Sequence, residues 1–392
     1  MQLSHLRDLG YRTVFAAVAS NYTGGFDADS WRDFDRHSHE LGADEIVTSG
    51  FQDLGPFGRF REAARAWKKG HNAMHWALAP AHFTEPAPRL ATVLAEDDMR
   101  FILANHVYTM PFAVKLQRAL KLRGRNVPLL VVTHDVQSHI LLDRKASAPW
   151  SLGMQGEDEL VKTEIAWLAQ ADALIHLSQD DLDFFTQRLP TLRHHLMLPA
   201  LPAMDLEPFR RQPAPRRDLL YVGVDHFSNV ESLKWYFHKV VPRFGNAPPK
   251  LTLVGQICKA KDAFVPQNLP VPWLELVDDA ADLRPYYASA KVALGAATRG
   301  RGISIKTIEA FSAGLPVAGT ALAFRGIPTA ELSRLGIRSE SDAHGFADLV
   351  NSLLTGGEWE NAARASREIY QSLFTPARSA ATFAGILQAF RL

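Results

Sequence analysis

Residues 299–320 read Arg-Gly-Arg-Gly-Ile-Ser-Ile-Lys-Thr-Ile-Glu-Ala-Phe-Ser-Ala-Gly-Leu-Pro-Val-Ala-Gly-Thr. They predict a glycine-rich turn, a helix carrying Lys306 and Glu309, and a second turn that opens a strand. Small residues let backbone amides approach an anion closely, and a helix starting directly afterwards turns its unpaired N–H groups toward the same place. Gly300, Gly302 and Ser304 suit that role. Lys306 and Glu309 stand three apart, so one helix face offers a cation to phosphate and a carboxylate to ribose hydroxyls. Gly314 and Pro316 stop the helix. A purely structural reading of the same stretch is a glycine-capped core helix, because Ile303, Ile305, Ile308 and Phe311 must pack somewhere. Two other phosphate motifs are excluded. Gly295 and Gly300 have P-loop spacing, but Arg301 and Gly302 stand where Lys and Ser/Thr are required, and Ile305 replaces the third glycine of a dinucleotide fingerprint.

Working outward, apolar β-branched runs alternate with amphipathic stretches, the signature of parallel strands joined by helices. Strands are predicted over 13–19, 45–47, 101–104, 129–133, 173–177 and 195–198, then over 219–222, 251–254, 274–277, 292–294 and 317–319, with a helix over 230–240 in the second series. Between the series, residues 199–215 are rich in proline and lack apolar periodicity, which marks a linker. The expected domains are 1–202 and 216–375, followed by a helix over 376–392 with Phe383, Ile386, Leu387 and Phe390 on one stripe.

The 392 residues suffice for two cores, with 47% of them apolar. A net charge of +1 provides no field to draw the chain onto nucleic acid, so none is expected as a partner. The single Cys258 excludes an internal disulfide and fits a reducing, cytoplasmic setting. No apolar run reaches the length of a transmembrane helix, and Arg7 and Asp8 break any signal-peptide pattern.

The stretch 300–317 resembles the C-terminal donor motif of retaining GT-B glycosyltransferases of family 4, Gly-x-Gly-Ile-x-x-Lys-x-x-Glu-Ala-x-x-x-Gly-x-Pro-Val, in register at every named position. The resemblance implies an α/β fold of two Rossmann-like, doubly wound domains facing a central cleft, with the final helix crossing back onto the first domain. It implies a hexosyltransferase that moves a sugar from a nucleoside diphosphate sugar to a hydroxyl of a carbohydrate, lipid-linked or other acceptor, with retention and without metal or other cofactor. Surface-polysaccharide or glycolipid assembly is the usual setting. Diphosphate and sugar fall to Gly300, Gly302, Ile303, Ser304 and Lys306, and ribose to Glu309. Leu219 to Phe244 resembles the strand, turn and helix that open the donor domain, with Gly223 at the turn.

The chain departs from the pattern in three places. Family members often place an Arg and a Lys shortly after that glycine, whereas Val224-Asp225-His226-Phe227-Ser228-Asn229-Val230-Glu231 has neither. This raises the weight on Lys306, with Asn229 read either as a phosphate donor or as a helix cap. Counting eight back from Glu309, where many members carry a second glutamate, reaches Arg301. Gln2-Leu3-Ser4-His5-Leu6-Arg7-Asp8-Leu9-Gly10 resembles the family's first helix, so the expectation is that the opening strand and glycine-rich loop are absent, either because the start is assigned too late or because the first domain is rearranged.

Thr133-His134-Asp135 follows a predicted strand and resembles the family's His-Asp turn, which implies that His134 meets the donor sugar and leaves Asp135 to orient it or cap the next helix. Leu276-Val277-Asp278-Asp279 resembles the turn that meets the nucleobase through backbone groups, the two aspartates serving as helix caps. Asp27-Ala28-Asp29, Asp33-Phe34-Asp35 and Asp181-Leu182-Asp183 match the Asp-x-Asp of metal-dependent transferases, but none follows a strand as required, so no metal site is expected. Residues 56–76 set Phe57, Phe60, Ala64 and Trp67 on one stripe with Arg59, Arg61, Arg65, Lys68, Lys69 and His71 largely elsewhere. That pattern suits a helix covering a sheet, or one lying on the anionic inner face of a membrane. Two rival functions remain open: a nucleotide-sugar epimerase of the same architecture, and a non-catalytic relative that binds nucleotide or a partner.

Overall fold

The structure, a computed structural model, describes residues 2–17, 36, 39–40, 42–48, 74, 92, 95, 99–147, 156–210, 217–267 and 269–391. The acidic triplets near Asp27 and Asp33 and the basic stretch 56–76, Met74 excepted, lie outside them. The chain divides into two compact units, Met1–Leu177 with Asp181–Met197 and Ala380–Leu392, and Ser178–Asp180 with Leu198–Ser379.

The first unit opens with α1 (Gln2–Asp8), then β1 (Val14–Ala17) and β2 (Glu45–Thr48), which pair in parallel as a two-stranded sheet. A four-stranded parallel sheet follows, in the order β3 (Ile102–Asn105), β4 (Leu129–Thr133), β5 (Ala173–His176), β6 (Arg193–Leu196). β4 is buried along its whole length because helices cover both faces of such a sheet, hence its unbroken apolar run. On one face lie residues of α2 (Met110–Leu122), α3 (Gln137–Ser147), α4 (Glu157–Leu168) and α5 (Gln179–Arg188), among them Phe112, Leu120, Leu141, Leu160 and Phe185. Against the other pack Leu6 of α1 and Phe383, Ile386 and Leu387, on the predicted stripe of the final helix. β6 starts two residues earlier than the predicted 195–198. It pairs His194 with Leu174 and His195 with Ile175, so its register is set by the neighbouring strand and not by its own hydropathy.

The second unit is a five-stranded parallel sheet in the order β11 (Val317–Gly319), β10 (Ala290–Gly295), β7 (Arg217–Val222), β8 (Leu251–Val254), β9 (Leu274–Val277). The chain runs outward from β7 to β9, then returns to place β10 and β11 on the other side. Connections leave in opposite directions where that order reverses, and the crevice opened there, at the strand C-termini, is where ligands bind doubly wound sheets. Its helices include α6 (Phe227–Trp235), α7 (Arg284–Ser289), α8 (Ile305–Ser312), α9 (Ala343–Leu354) and α10 (Trp359–Ile369), while α11 (Pro376–Ala389), last in the chain, belongs to the first unit from Ala380 onward. The helix predicted over 230–240 is α6 running into a π-helical turn, Tyr236–Val240. Tyr236, Phe237, Phe264 and Phe346 fill the core beneath it.

Candidate functional site

At the reversal of strand order, β7 ends at Val222–Gly223 and β10 feeds the turn 299–304, so the two halves of the predicted motif meet at one place. Gly300 (φ 147°) and Gly302 (φ 59°) both take backbone that an L side chain rarely adopts, which is why the turn is built of glycine. Ser304 precedes α8 in extended conformation without a side-chain cap, its hydroxyl 3.0 Å from Thr307 Oγ1. The intrahelical bonds to Ser304 O begin with the amides of Thr307 and Ile308. First-turn amides of this kind carry the positive end of the helix dipole toward the glycine turn.

Lys306 is drawn into this corner. Its Nζ donates to Asn229 Oδ1 at 2.6 Å and to Tyr221 Oη at 3.0 Å, and sits 4.5 Å from the centre of the Tyr221 ring. Gly223 makes the room, since a Cβ there would stand 2.9 Å from Tyr221 Cε1 and 3.3 Å from the ammonium. Burial pushes Lys306 down to about 8, with Arg325 adding to the shift and Glu309 opposing it. Glu309, one turn on, accepts from Tyr287 Oη at 3.3 Å, and burial raises its carboxyl above the usual range. The corner therefore holds an ammonium and a carboxylate on one helix face, each oriented by a tyrosine.

Asn229 neither caps α6 nor points its amide outward. His226 caps that helix by accepting from Ser228 N, while Asn229 donates Nδ2 to Val224 O at 2.9 Å and gives Oδ1 to Lys306. Both ends of the amide are engaged, so Asn229 positions the lysine. Val277 closes β9 and accepts from Gly255 N at 2.8 Å. The capping expected of Asp278 and Asp279 is done by Asp282, which accepts from Arg284 N at 2.9 Å as α7 begins.

In the first unit, His134 follows β4, its Nε2 2.7 Å from Asn105 Oδ1. With that oxygen accepting, Nε2 carries the hydrogen and Nδ1 is left as acceptor. His106, at the end of the adjacent strand β3, stacks 5.5 Å from His134 and 4.4 Å from Tyr108, and its φ of 85° is rare outside glycine. Burial, aided by the His134 charge, pushes His106 down to about 3, and burial lowers His134 as well. The two imidazoles are thus neutral at pH 7. The buried Glu164 accepts from the amides of Gln137 and Ser138, both at 2.9 Å, at the start of α3. Burial pushes that carboxyl up to about 7. Asp181 and Asp183 lie in α5, and among the described residues no three His, Cys, Asp or Glu side chains converge as a metal site.

Sequence reasoning missed Tyr221, Tyr287 and Arg325 beside the motif, and Asn105, His106 and Glu164 around His134. One signal was available, because Asn105-His106 follows an apolar strand in the way that His134-Asp135 does.

Residues 216–356 match the family described as Glycosyl transferases group 1. No curated protein matches the sequence. Among solved structures, sucrose-phosphate synthase from Thermosynechococcus elongatus is 17% identical, with 99% of this chain and 92% of that one covered at a TM-score of 0.61. HepE from Anabaena, in complex with UDP-glucose, is 14% identical over 99% and 94% of the two chains, TM-score 0.62. An α,α-trehalose-phosphate synthase (UDP-forming) from Burkholderia vietnamiensis is 12% identical over 99% and 98%, TM-score 0.60. The fold is GT-B, and the family matched by the second unit is one of glycosyltransferases. More narrowly, the stretch that matches the glycosyl transferases group 1 family, residues 216–356, contains the whole Lys306 corner.

Proposed function

We propose that the chain transfers a sugar from a nucleoside diphosphate sugar to a hydroxyl acceptor, with retention at the anomeric carbon and no metal in the transfer step. The observation that carries this reading is Lys306 Nζ, held by Asn229 and Tyr221 beside Gly223 and on one helix face with Glu309. Departure of a nucleoside diphosphate places negative charge on the leaving phosphate, and a preorganised cation with helix N-terminal amides stabilises it at little reorganisation cost. Lys306 and the amides of residues 302–304 take that role, and Glu309 binds ribose hydroxyls. The structures of HepE with UDP, with UDP and glucose, and with UDP-glucose support a donor of this kind. A cytoplasmic enzyme of surface-polysaccharide or glycolipid assembly is the setting we propose. Among the described residues no helix is long and apolar enough to cross a membrane.

Two results are expected from calorimetric titration with UDP, GDP, ADP and TDP in the presence of EDTA. One nucleotide binds, and Glu309→Ala weakens it about tenfold, the effect of one or two hydrogen bonds to a charged group. Silence toward all four nucleotides would sink the donor reading, and unchanged affinity in the variant would remove Glu309 from the ribose. The second result concerns pH. The charged lysine binds diphosphate, and its value in the free protein is about 8. Affinity should therefore hold below pH 7 and fall as pH rises through 8, approaching about tenfold per unit above it. Binding at pH 8.5 should take up a proton, read as a dependence of the heat on the buffer's ionisation enthalpy.

A further inference from the structure

The family-like turn after β7, residues 224–231, contains neither Lys nor Arg, yet a second cation acts on Lys306 from the loop after β11. Arg325 follows the helical turn Ala321–Phe324 after β11. Its Nε donates to Arg301 O at 3.1 Å and its Nη1 to Leu322 O at 2.9 Å, so two backbone carbonyls fix the plane of the guanidinium. That plane lies against Gly300. A Cβ there would stand 2.8 Å from Arg325 Cζ and 2.9 Å from both Nε and Nη2, so glycine is required for the approach as well as for the backbone angle.

Arg325 also acts electrostatically on both Lys306 and Tyr221. The groups facing Lys306 are Tyr221 from β7, Asn229 from α6, Glu309 from its own helix and Arg325 from the loop after β11. The Arg325 charge depresses Lys306 while Glu309 on the same helix raises it, so a bound anion that meets both cations would offset their repulsion.

We propose that Arg325 is the second diphosphate cation of the donor site, supplied by the loop after β11 in place of the cations absent from residues 224–231. This rests on the donor reading above and assigns to it a residue outside the motif. Lys306 and Arg325 then match the two charges of a nucleoside diphosphate sugar. Holding Arg301 O ties the glycine turn to the same loop, so the anion and the turn are organised together.

The test is calorimetric titration of the full chain with the four nucleoside diphosphates and the corresponding monophosphates, from pH 7 to 9.5. Arg325→Gln is expected to weaken the bound diphosphate about ten- to thirtyfold and its monophosphate less than about threefold. The pH at which diphosphate affinity falls should move upward in that variant, because a charge depressing Lys306 is gone. Arg325→Lys, which keeps charge but cannot span both carbonyls, should stay within about threefold of wild type. Equal losses for diphosphate and monophosphate, an unmoved pH profile, or a loss in Arg325→Lys as large as that in Arg325→Gln would assign Arg325 to loop structure and overturn the proposal. Should the Gln variant fail to give a native near-ultraviolet spectrum, the Lys variant alone decides by the same threefold limit. Wild type silent toward every diphosphate would instead overturn the donor reading itself, a result separate from wild type binding one diphosphate that Arg325→Gln binds equally well.

Discussion

Lys306→Met is expected to weaken nucleoside diphosphate binding by a factor of about 30 to 150 while leaving thermal stability unchanged or slightly raised. The two halves of that expectation come from the same geometry. The ammonium is buried against the Tyr221 ring and bonded to Asn229 and Tyr221. Taking it out of water disfavours its charged form, which is why its value falls to about 8. Methionine fills nearly the same space without that cost, though it leaves Asn229 Oδ1 and Tyr221 Oη without the lysine. Replacing a buried charge by an apolar side chain of similar volume is often neutral or stabilising. The ligand sees the opposite balance. It loses a charge-assisted contact of roughly 2–3 kcal/mol, and the leaving diphosphate of the transfer step loses more, because its charge is still developing. Calorimetry and a thermal melt on the same sample decide the matter. A fall in melting temperature that accompanies unchanged affinity would make Lys306 a structural cation.

That one residue illustrates what the sequence makes legible. Its helix, the glycines before it and the pairing with Glu309 follow from spacing of three and four, a local property of the chain. Among the described residues most strands are equally local, since their apolar runs are long enough to read wherever both faces are covered. The partners of Lys306 are of another kind. Tyr221 is 85 residues away and Asn229 is 77, and only the folding of β7 beside β10 brings them together. Arg325 reads in sequence as one more surface arginine, because nothing local signals that the loop after β11 returns to Gly300. Caps were misplaced for a related reason: several polar side chains lie near each helix start, and backbone direction, which spacing does not give, selects His226 over Asn229 and Asp282 over Asp278 and Asp279. At β6 the histidines His194 and His195 hid the strand's start, since they are held by their neighbours rather than by hydrophobicity. His194 lies 2.9 Å from His176 and 2.9 Å from Leu189 O.

The glycine turn that carries the site is itself held by a second glycine, and substitution there should unseat both. Gly326→Ala is expected to destabilise the protein by about 2–4 kcal/mol, lowering its melting temperature by roughly 5–15 °C, and to weaken nucleotide binding although Gly326 bears no side chain to touch a ligand. Gly326 takes φ 78°. A Cβ there would stand 2.9 Å from Ile303 Cα, Ile303 Cβ and Ser178 Cβ, closer than real Cβ atoms come. The collision on the Ile303 side is with backbone, so no rotamer relieves it, and residues 302–304 must move away from the helix amides they lead into. Its amide donates to Asp180 Oδ2 at 3.1 Å and its carbonyl accepts from Gln179 N at 2.8 Å, which fixes Gly326 from the opposite side and denies it room to retreat. Gly336 supplies the control. It has a similar left-handed angle, φ 65°, and nothing within 4 Å of an added Cβ, so Gly336→Ala should cost only the conformational strain of about 1–2 kcal/mol and leave binding intact. Strain alone then separates from collision in one comparison of melts and nucleotide titrations. If the two alanine variants behave alike, close packing of the 326 loop on Ile303 does not hold the phosphate turn; if only Gly326→Ala loses affinity, the geometry of residues 302–304 is what the nucleotide reads.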